Sequence, residues 1–131
     1  VEGTMGAVVL TGLRVVTGAL LSVFASGERK MIRASTATIG IRGTGVYVES
    51  YPQKSYVCTC YGEVEIVPVD DPGAAETVKT TYHDAPRYVM AKGMPQMIMG
   101  APVENHTDAE LIMLEGLVGR MPPFGSVGLR Y

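Results

Sequence analysis

The stretch Thr36 to Gly62, TATIGIRGTGVYVESYPQKSYVCTCYG, leaves this chain few ways to fold. Ala37-Thr38-Ile39 is apolar and β-branched, and Val46-Tyr47-Val48-Glu49 alternates, so both halves of the first run are strand-like, with Gly40, Gly43 and Gly45 between them. Glycines at that density predict a bend, with backbone at positive φ or approached too closely by a neighbour to leave room for a Cβ. Arg42, set between two of them, is expected to bond carbonyls or a carboxylate and hold the corner. A phosphate cradle is not favoured, because no helix pattern follows whose amino end could hold an anion. Ser55 to Gly62 is strand by composition and returns through a Tyr51-Pro52-Gln53-Lys54 turn.

Side chains alternate along a strand, so Cys58 and Cys60 point to one face while Val57, Thr59 and Tyr61 point to the other. Two such thiols lie about 6.5 to 7 Å apart with parallel Cβ vectors, which disfavours a bridge between them.

These residues carry a family resemblance. The Thr36–Tyr47 run, followed by Tyr56-Val57-Cys58-Thr59-Cys60-Tyr61-Gly62-Glu63-Val64-Glu65, resembles the core of FecR-type domains of bacterial envelope proteins, in a Cys-x-Cys subgroup. Arg42-Gly43-Thr44 and Gly62-Glu63-Val64 match the broad FecR signature. Leu13 to Phe24 resembles the family more weakly, as do the segments His83 to Tyr88 and Asn105 to Glu110 in the tail. The resemblance implies an exported, all-β, non-catalytic domain, periplasmic or extracellular. The best-known relatives of that kind are periplasmic regulators that relay a signal from an outer-membrane transporter to a sigma factor. This chain is expected to lack their cytoplasmic anti-sigma segment and membrane helix.

With 131 residues the chain is long enough to bury a core without staples. A net charge of -2 and the absence of a basic run or an aromatic-plus-arginine pattern argue against nucleic acid as a partner. Hydrophobic residues make up 47 % and charged ones only 18 %, so apolar surface is expected to be shared with protein partners, most simply further copies of the chain. The longest apolar run, Val15 to Ala25, is too short and too interrupted for a transmembrane helix. No export signal precedes it, so a mature or trimmed product is expected.

From Ala7 to Arg33, short β-prone runs are punctuated by Gly12, Gly18 and Gly27 at turns, with Ser26-Gly27-Glu28-Arg29 as a hairpin tip. That spacing predicts a β-sandwich or short β-solenoid. Pro68 to Ala75 reads as a linker, dividing a FecR-like core over residues 1–70 from a tail over 71–131. The tail is predicted to hold strands at Thr77 to Tyr82 and Arg87 to Ala91, then a methionine-rich piece with Met90, Met94, Met97 and Met99. Packing explains those methionines better than soft copper, for their spacing is irregular. Asp70-Asp71 supplies too few oxygens for calcium.

Thr107 to Val118 is the one clear helix. Thr107 and Glu110 form a capping box, Asp108 complements the amino end, Gly119 stops it, and Leu111, Leu114 and Leu117-Val118 are its expected buried stripe. Beyond it, Met121 to Tyr131 is an extended arm whose Phe124, Val127, Leu129 and Tyr131 must dock on the same subunit's sheet or on a neighbour's strand edge.

One constellation has the atoms for a site: Cys58, Cys60, His83 and His106, the chain's only cysteines and histidines. Two thiolates and two imidazoles suit zinc, or iron or copper. The other reading has the cysteines as small buried hydrophobes and the histidines bonding turns or caps. Haem c is excluded without Cys-x-x-Cys-His. No Gly-x-Ser-x-Gly elbow or His-Glu-x-x-His helix is present, and a second thiol on the same face suits ligation better than acyl transfer, so the chain reads as no enzyme. Two functions stand side by side: a FecR-like sensing or interaction domain in signal transduction, and a self-assembling subunit of a filament or ring.

Overall fold

The computed structural model describes residues 4–5, 8–9, 12–14, 18–23, 29–91, 97–117, 119–124 and 131. The hairpin tip at Ser26 to Glu28, Met94, Val118, Val127 and Leu129 therefore lie outside the described residues.

Two strands of fifteen residues each dominate: β6 (Ala37–Tyr51) and β7 (Lys54–Pro68), joined by the two-residue turn at Pro52-Gln53. Five shorter strands flank them. β4 (Gly18–Val23) pairs the turn half of β6, and β5 (Arg29–Arg33) pairs its base half. β9 (Arg87–Met90) pairs the turn half of β7, and β8 (Glu76–Thr80) its base half. β10 (Ile98–Gly100) extends the sheet beyond β9. All these pairings are antiparallel, and β3 (Gly12–Arg14) adds a parallel edge to β5. The strands β1 (Thr4–Met5) and β2 (Val8–Val9) form a separate ribbon. The whole is an all-β chain with one carboxyl-terminal helix, its large sheet curled into a half-barrel. Strands β8, β9 and β10, which follow the Pro68–Ala75 stretch, continue the sheet begun by β5 and β6.

Two register shifts bend the hairpin. Between Arg42 and Gly45, β6 takes three steps while β7 takes two, and between Gly45 and Val46, β7 takes two steps for one on β6, so that Cys60 is the extra residue. A bulge changes which positions face inward. On β6 the core side chains are Ile39 and Ile41 before the shift but Val46 and Val48 after it; on β7 they are Val57 before and Val64 and Ile66 after. One apolar face therefore runs unbroken from base to turn and meets Ile32, Val78 and Val89 from the flanking strands. Gly62, at φ 93°, turns β7 back into register where a side chain would be strained.

Thr44 holds the corner, its hydroxyl donating to the Tyr61 carbonyl. Arg42, expected to do so, has an exposed side chain opposite Glu63 on the adjacent strand. A cation on a solvated sheet face loses nothing by staying in water, whereas a buried threonine needs an acceptor. Tyr61 also departs from simple alternation. It joins the cysteine-side cluster with Tyr47, Tyr56, Cys58, Cys60, Val23 and Leu111, because the bulge at Cys60 has reset the period. Gly12, expected in a turn, opens β3 instead, while Gly18, at φ 107°, starts β4.

Helix α1 (Asp108–Gly116) forms where expected, with Thr107 as N-cap and both arms of the capping box present. Gly119, at φ 74°, follows it. The buried stripe differs from the expected one: Leu111 is fully buried and Leu114 half-buried, but Leu117 is 77 % exposed and Asp108 and Glu115 are buried instead. The buried face therefore runs through Asp108, Leu111 and Glu115, and Leu117 lies off it.

Candidate metal centre

The outer face of the hairpin differs between its two halves. In the base half it is polar, with Arg42, Glu63 and Glu65 in solvent or half-buried. In the turn half it carries Tyr47, Glu49, Tyr56, Cys58 and Cys60, all buried beneath the segment from Ala101 through α1. Tyr56 anchors that cover: its hydroxyl donates to the Pro102 carbonyl at 2.7 Å and accepts from the Glu104 N–H at 2.9 Å. Glu49, only 3 % exposed, accepts from Tyr47, Tyr51 and Asn105, each at 2.7 Å. Burial works against its charge, and these bonds together hold the carboxyl below its ordinary range.

Asn105 has a left-handed backbone, φ 58°, which turns the next residue, His106, onto the cysteines. The ring stacks on Tyr47 with centroids 4.3 Å apart. His83 arrives from the opposite side, on the loop after β8, again with positive φ, 49°, and its N–H donates to the Cys60 carbonyl at 2.9 Å. Asp84 shapes that loop by accepting from the Thr81 and Tyr82 N–H groups and the Thr80 and Thr81 hydroxyls.

All four residues named from sequence thus converge. Their side chains are buried, and one ligand atom from each lies within 4.8 Å of the others. Cys58 Sγ is 3.3 Å from His83 Nδ1, Cys60 Sγ is 3.6 Å from His106 Nε2, and the two facing nitrogens are 3.4 Å apart. A zinc tetrahedron with bonds of about 2.3 Å to sulfur and about 2.0 to 2.1 Å to nitrogen has edges of about 3.3 Å between nitrogens and about 3.5 Å between nitrogen and sulfur. These three separations fit edges of a tetrahedron about one ion, and the four ligand atoms all lie within 4.8 Å of one another. They do not suit a two-iron cluster, which would set the thiolates apart from the imidazoles.

The rings' outer nitrogens strengthen the case. His83 Nε2 lies 2.8 Å from Asp108 Oδ1, and His106 Nδ1 lies 2.6 Å from the Glu104 carbonyl. Both acceptors call for an N–H, which leaves His83 Nδ1 and His106 Nε2, 3.4 Å apart, as the nitrogens that face the thiols. A metal ion there would take both nitrogens as ligands, and a carboxylate or carbonyl behind each ring is the usual support of a metal-bound histidine.

In the metal-free cluster, protons take the cation's place. The Cys58 thiol is pushed down to about 4, chiefly by a bond from the Cys60 thiol and, against burial, by bonds from His106 and His83. Burial, with the Cys58 charge beside it, pushes Cys60 up. Burial opposes a proton on His83, but Cys58 and Asp108 outweigh it and raise the ring's affinity.

Sequence reasoning names the four residues that cluster but gives Asp108 only the role of a helix-end charge. The structure adds His83 Nε2 as its partner, with the Tyr82 hydroxyl and the Tyr131 N–H on its other oxygen. An acid two residues after a candidate ligand is the only signal that could have shown this. Of the described methionines in the methionine-rich piece, Met90 and Met97 are half-buried and Met99 is 39 % exposed, on or beside β9 and β10. An open groove of about 310 Å³ lies on the polar base half, over Gly40 between Met31 and Glu65, and contains none of the four ligands.

The chain matches no protein-family profile and no curated protein. It is similar in structure to a candidate anti-sigma factor from Parabacteroides distasonis, seen in two crystal structures at 1.65 and 2.50 Å. The TM-score is 0.53 for each, at 16 % and 15 % identity, over 79 % of this chain and 47 % of the other. This chain thus spans about half the length of those neighbours, and the likeness is one of fold.

Proposed function

We propose that this chain is a non-catalytic, FecR-like domain of the bacterial envelope that serves signalling through protein contacts and is held in shape by one metal ion, zinc before iron or copper. The observation that carries the metal is the convergence of two thiols and two imidazoles at tetrahedral spacing, with both outer ring nitrogens engaged. Four protein ligands complete a tetrahedron and leave no open position for substrate, which is the arrangement of a structural site rather than a catalytic one. The regulatory reading is supported by the fold shared with the candidate anti-sigma factor and by the FecR-like motifs around Arg42 to Thr44 and Gly62 to Val64.

Protein purified without chelator should carry close to one metal per chain by elemental analysis. Replacing it with cobalt(II) should give thiolate-to-metal charge transfer and the visible bands of a tetrahedral ion. Cys58→Ser should lose most of the metal. A chain that refolds from chelator and takes up neither zinc nor cobalt would end the metal reading.

A second reading, self-assembly, draws on exposed apolar side chains at and beyond the end of α1: Met113 at 67 %, Leu117 at 77 % and Met121 at 56 % exposure. Further copies of the chain would cover them.

A further inference from the structure

We propose that the metal ion fastens helix α1 to the sheet, and that Asp108 is the positioning residue through which metal occupancy and helix docking become one event. The inference rests on the metal reading above. The ligands come from two bodies: Cys58 and Cys60 on β7 and His83 on the loop after β8, against His106 on the segment leading into α1. Asp108, the first residue of α1, joins the same two bodies, with Oδ1 on His83 and Oδ2 on the Tyr82 hydroxyl. Its N–H donates to the Tyr131 carbonyl at 3.0 Å, and the Tyr131 N–H returns to Oδ2 at 3.1 Å.

Apolar contact of the helix with the sheet is narrow. Nine residues are too few to persist alone in water. The buried side chains on α1 are Asp108, Leu111 and Glu115; Glu115 turns to Arg120, outside the sheet, at 2.8 Å. Leu111 against Val23, Tyr61 and Gly45, with the half-buried Leu114 on the same cluster, is the apolar anchor. The main core contains no residue of α1, which meets only the cysteine-side cluster. Up to Asn105 the covering segment is tied by Tyr56 and Glu49, independently of any ion. Removing the metal takes away the bonds that would join His106 to Cys58, Cys60 and His83, at the point where release would begin. The outcome is a helix that leaves from His106 onward while β6 and β7 keep their pairing, exposing Tyr47 and the cysteines.

Hydrogen exchange read by mass spectrometry on the full chain, with zinc bound and after its removal by chelator, tests this directly. Amides 108–117 should lose protection at least tenfold without zinc, while those of 37–42 and 62–68 stay unchanged. Asp108→Asn should keep the cobalt charge-transfer band, since all four ligands remain, but bind zinc about 10 to 100 times more weakly, as expected when the acceptor behind a ligating histidine is weakened. If the wild type binds no metal, the underlying reading fails and this one with it. If it binds metal but α1 is equally protected in both states, or Asp108→Asn binds as tightly as the wild type, the link through Asp108 is wrong and the site stands. Loss of protection across the whole sheet on zinc removal would likewise overturn it, for the ion would then hold the fold rather than the helix. Should Asp108→Asn not fold, the wild-type exchange comparison decides.

Discussion

Gly45 sits where three elements crowd together. A Cβ built there would lie 2.7 Å from Tyr61 Cε1 and 3.0 Å from Leu111 Cδ1, so an alanine would have to push both the ring and the leucine that seats α1. Gly45→Ala is expected to cost about 1 to 3 kcal/mol, the usual range for overpacking a tight site, read as a lower urea midpoint at constant slope. A density of glycines in TATIGIRGTG is visible in the sequence, but which of them is approached closely depends on where the helix from the other end of the chain comes to rest. Asp84 offers a second check at this scale. Bonds from the Thr81 N–H and the Thr80 hydroxyl, with Tyr82 N–H and Thr81 hydroxyl adding, outweigh a slight burial and hold its carboxyl down to about 2. The folded value lies below the ordinary 3.8, so the stabilisation is complete above about pH 4 and fades as pH falls through 2. The Asp84 carboxyl carbon should titrate in NMR with a midpoint near 2, and the melting-temperature gap between wild type and Asp84→Asn should close over that same window. A midpoint at the ordinary value would remove Asp84 from the account of how His83 is aimed.

At the scale of elements, local chemistry reads well and tertiary fit does not. The capping box at Thr107 and Glu110 involves neighbours three residues apart, and it forms as the residue types require. The β6–β7 hairpin likewise follows from β-branched runs around a Pro-Gln turn. Alternation fails at Tyr61 because a bulge inserts one residue, and no composition rule marks Cys60 as that residue. Leu117 fails for a related reason: helical periodicity names an apolar stripe but not which positions become covered, and here Asp108 and Glu115 are buried while Leu117 is not. The two leucines can be told apart. Leu111→Ala should cost about 2 to 5 kcal/mol, as for a fully buried leucine. Leu117→Ala, 77 % exposed, should stay within about 0.5 kcal/mol. Equal costs in chemical denaturation would mean that α1 packs on its other side.

In the whole molecule, the carboxyl-terminal segment closes over the centre that the hairpin prepares. Cys58 and Cys60 could be placed on one face from the strand period alone. That His83 and His106 meet them is a matter of two left-handed residues, His83 and Asn105, each of which reverses the chain toward the sheet. No spacing rule carries that information, since the ligands are separated by intervals of 2, 23 and 23 residues along the chain. The arm beyond α1 packs on its own subunit at both described anchors. Phe124 lies against Tyr61, Tyr82 and His83, with ring centroids 6.4, 4.6 and 6.0 Å away, and Tyr131 lies 5.1 Å from His83 while bonding Asp108. These two aromatics form the outer wall of the centre and keep water from the His83–Asp108 pair, which strengthens that bond in its low-dielectric setting. A chain ending at Gly119 should therefore keep the β-sheet signature in circular dichroism but melt about 4 °C lower, as about 1 kcal/mol of lost packing gives in a domain of this size, and release zinc faster to a competing chelator. Its sedimentation coefficient should change only as its mass does. If instead melting and zinc release match the full chain while a larger assembly falls apart, Phe124 and Tyr131 act between copies, and the wall around His83 is built in trans.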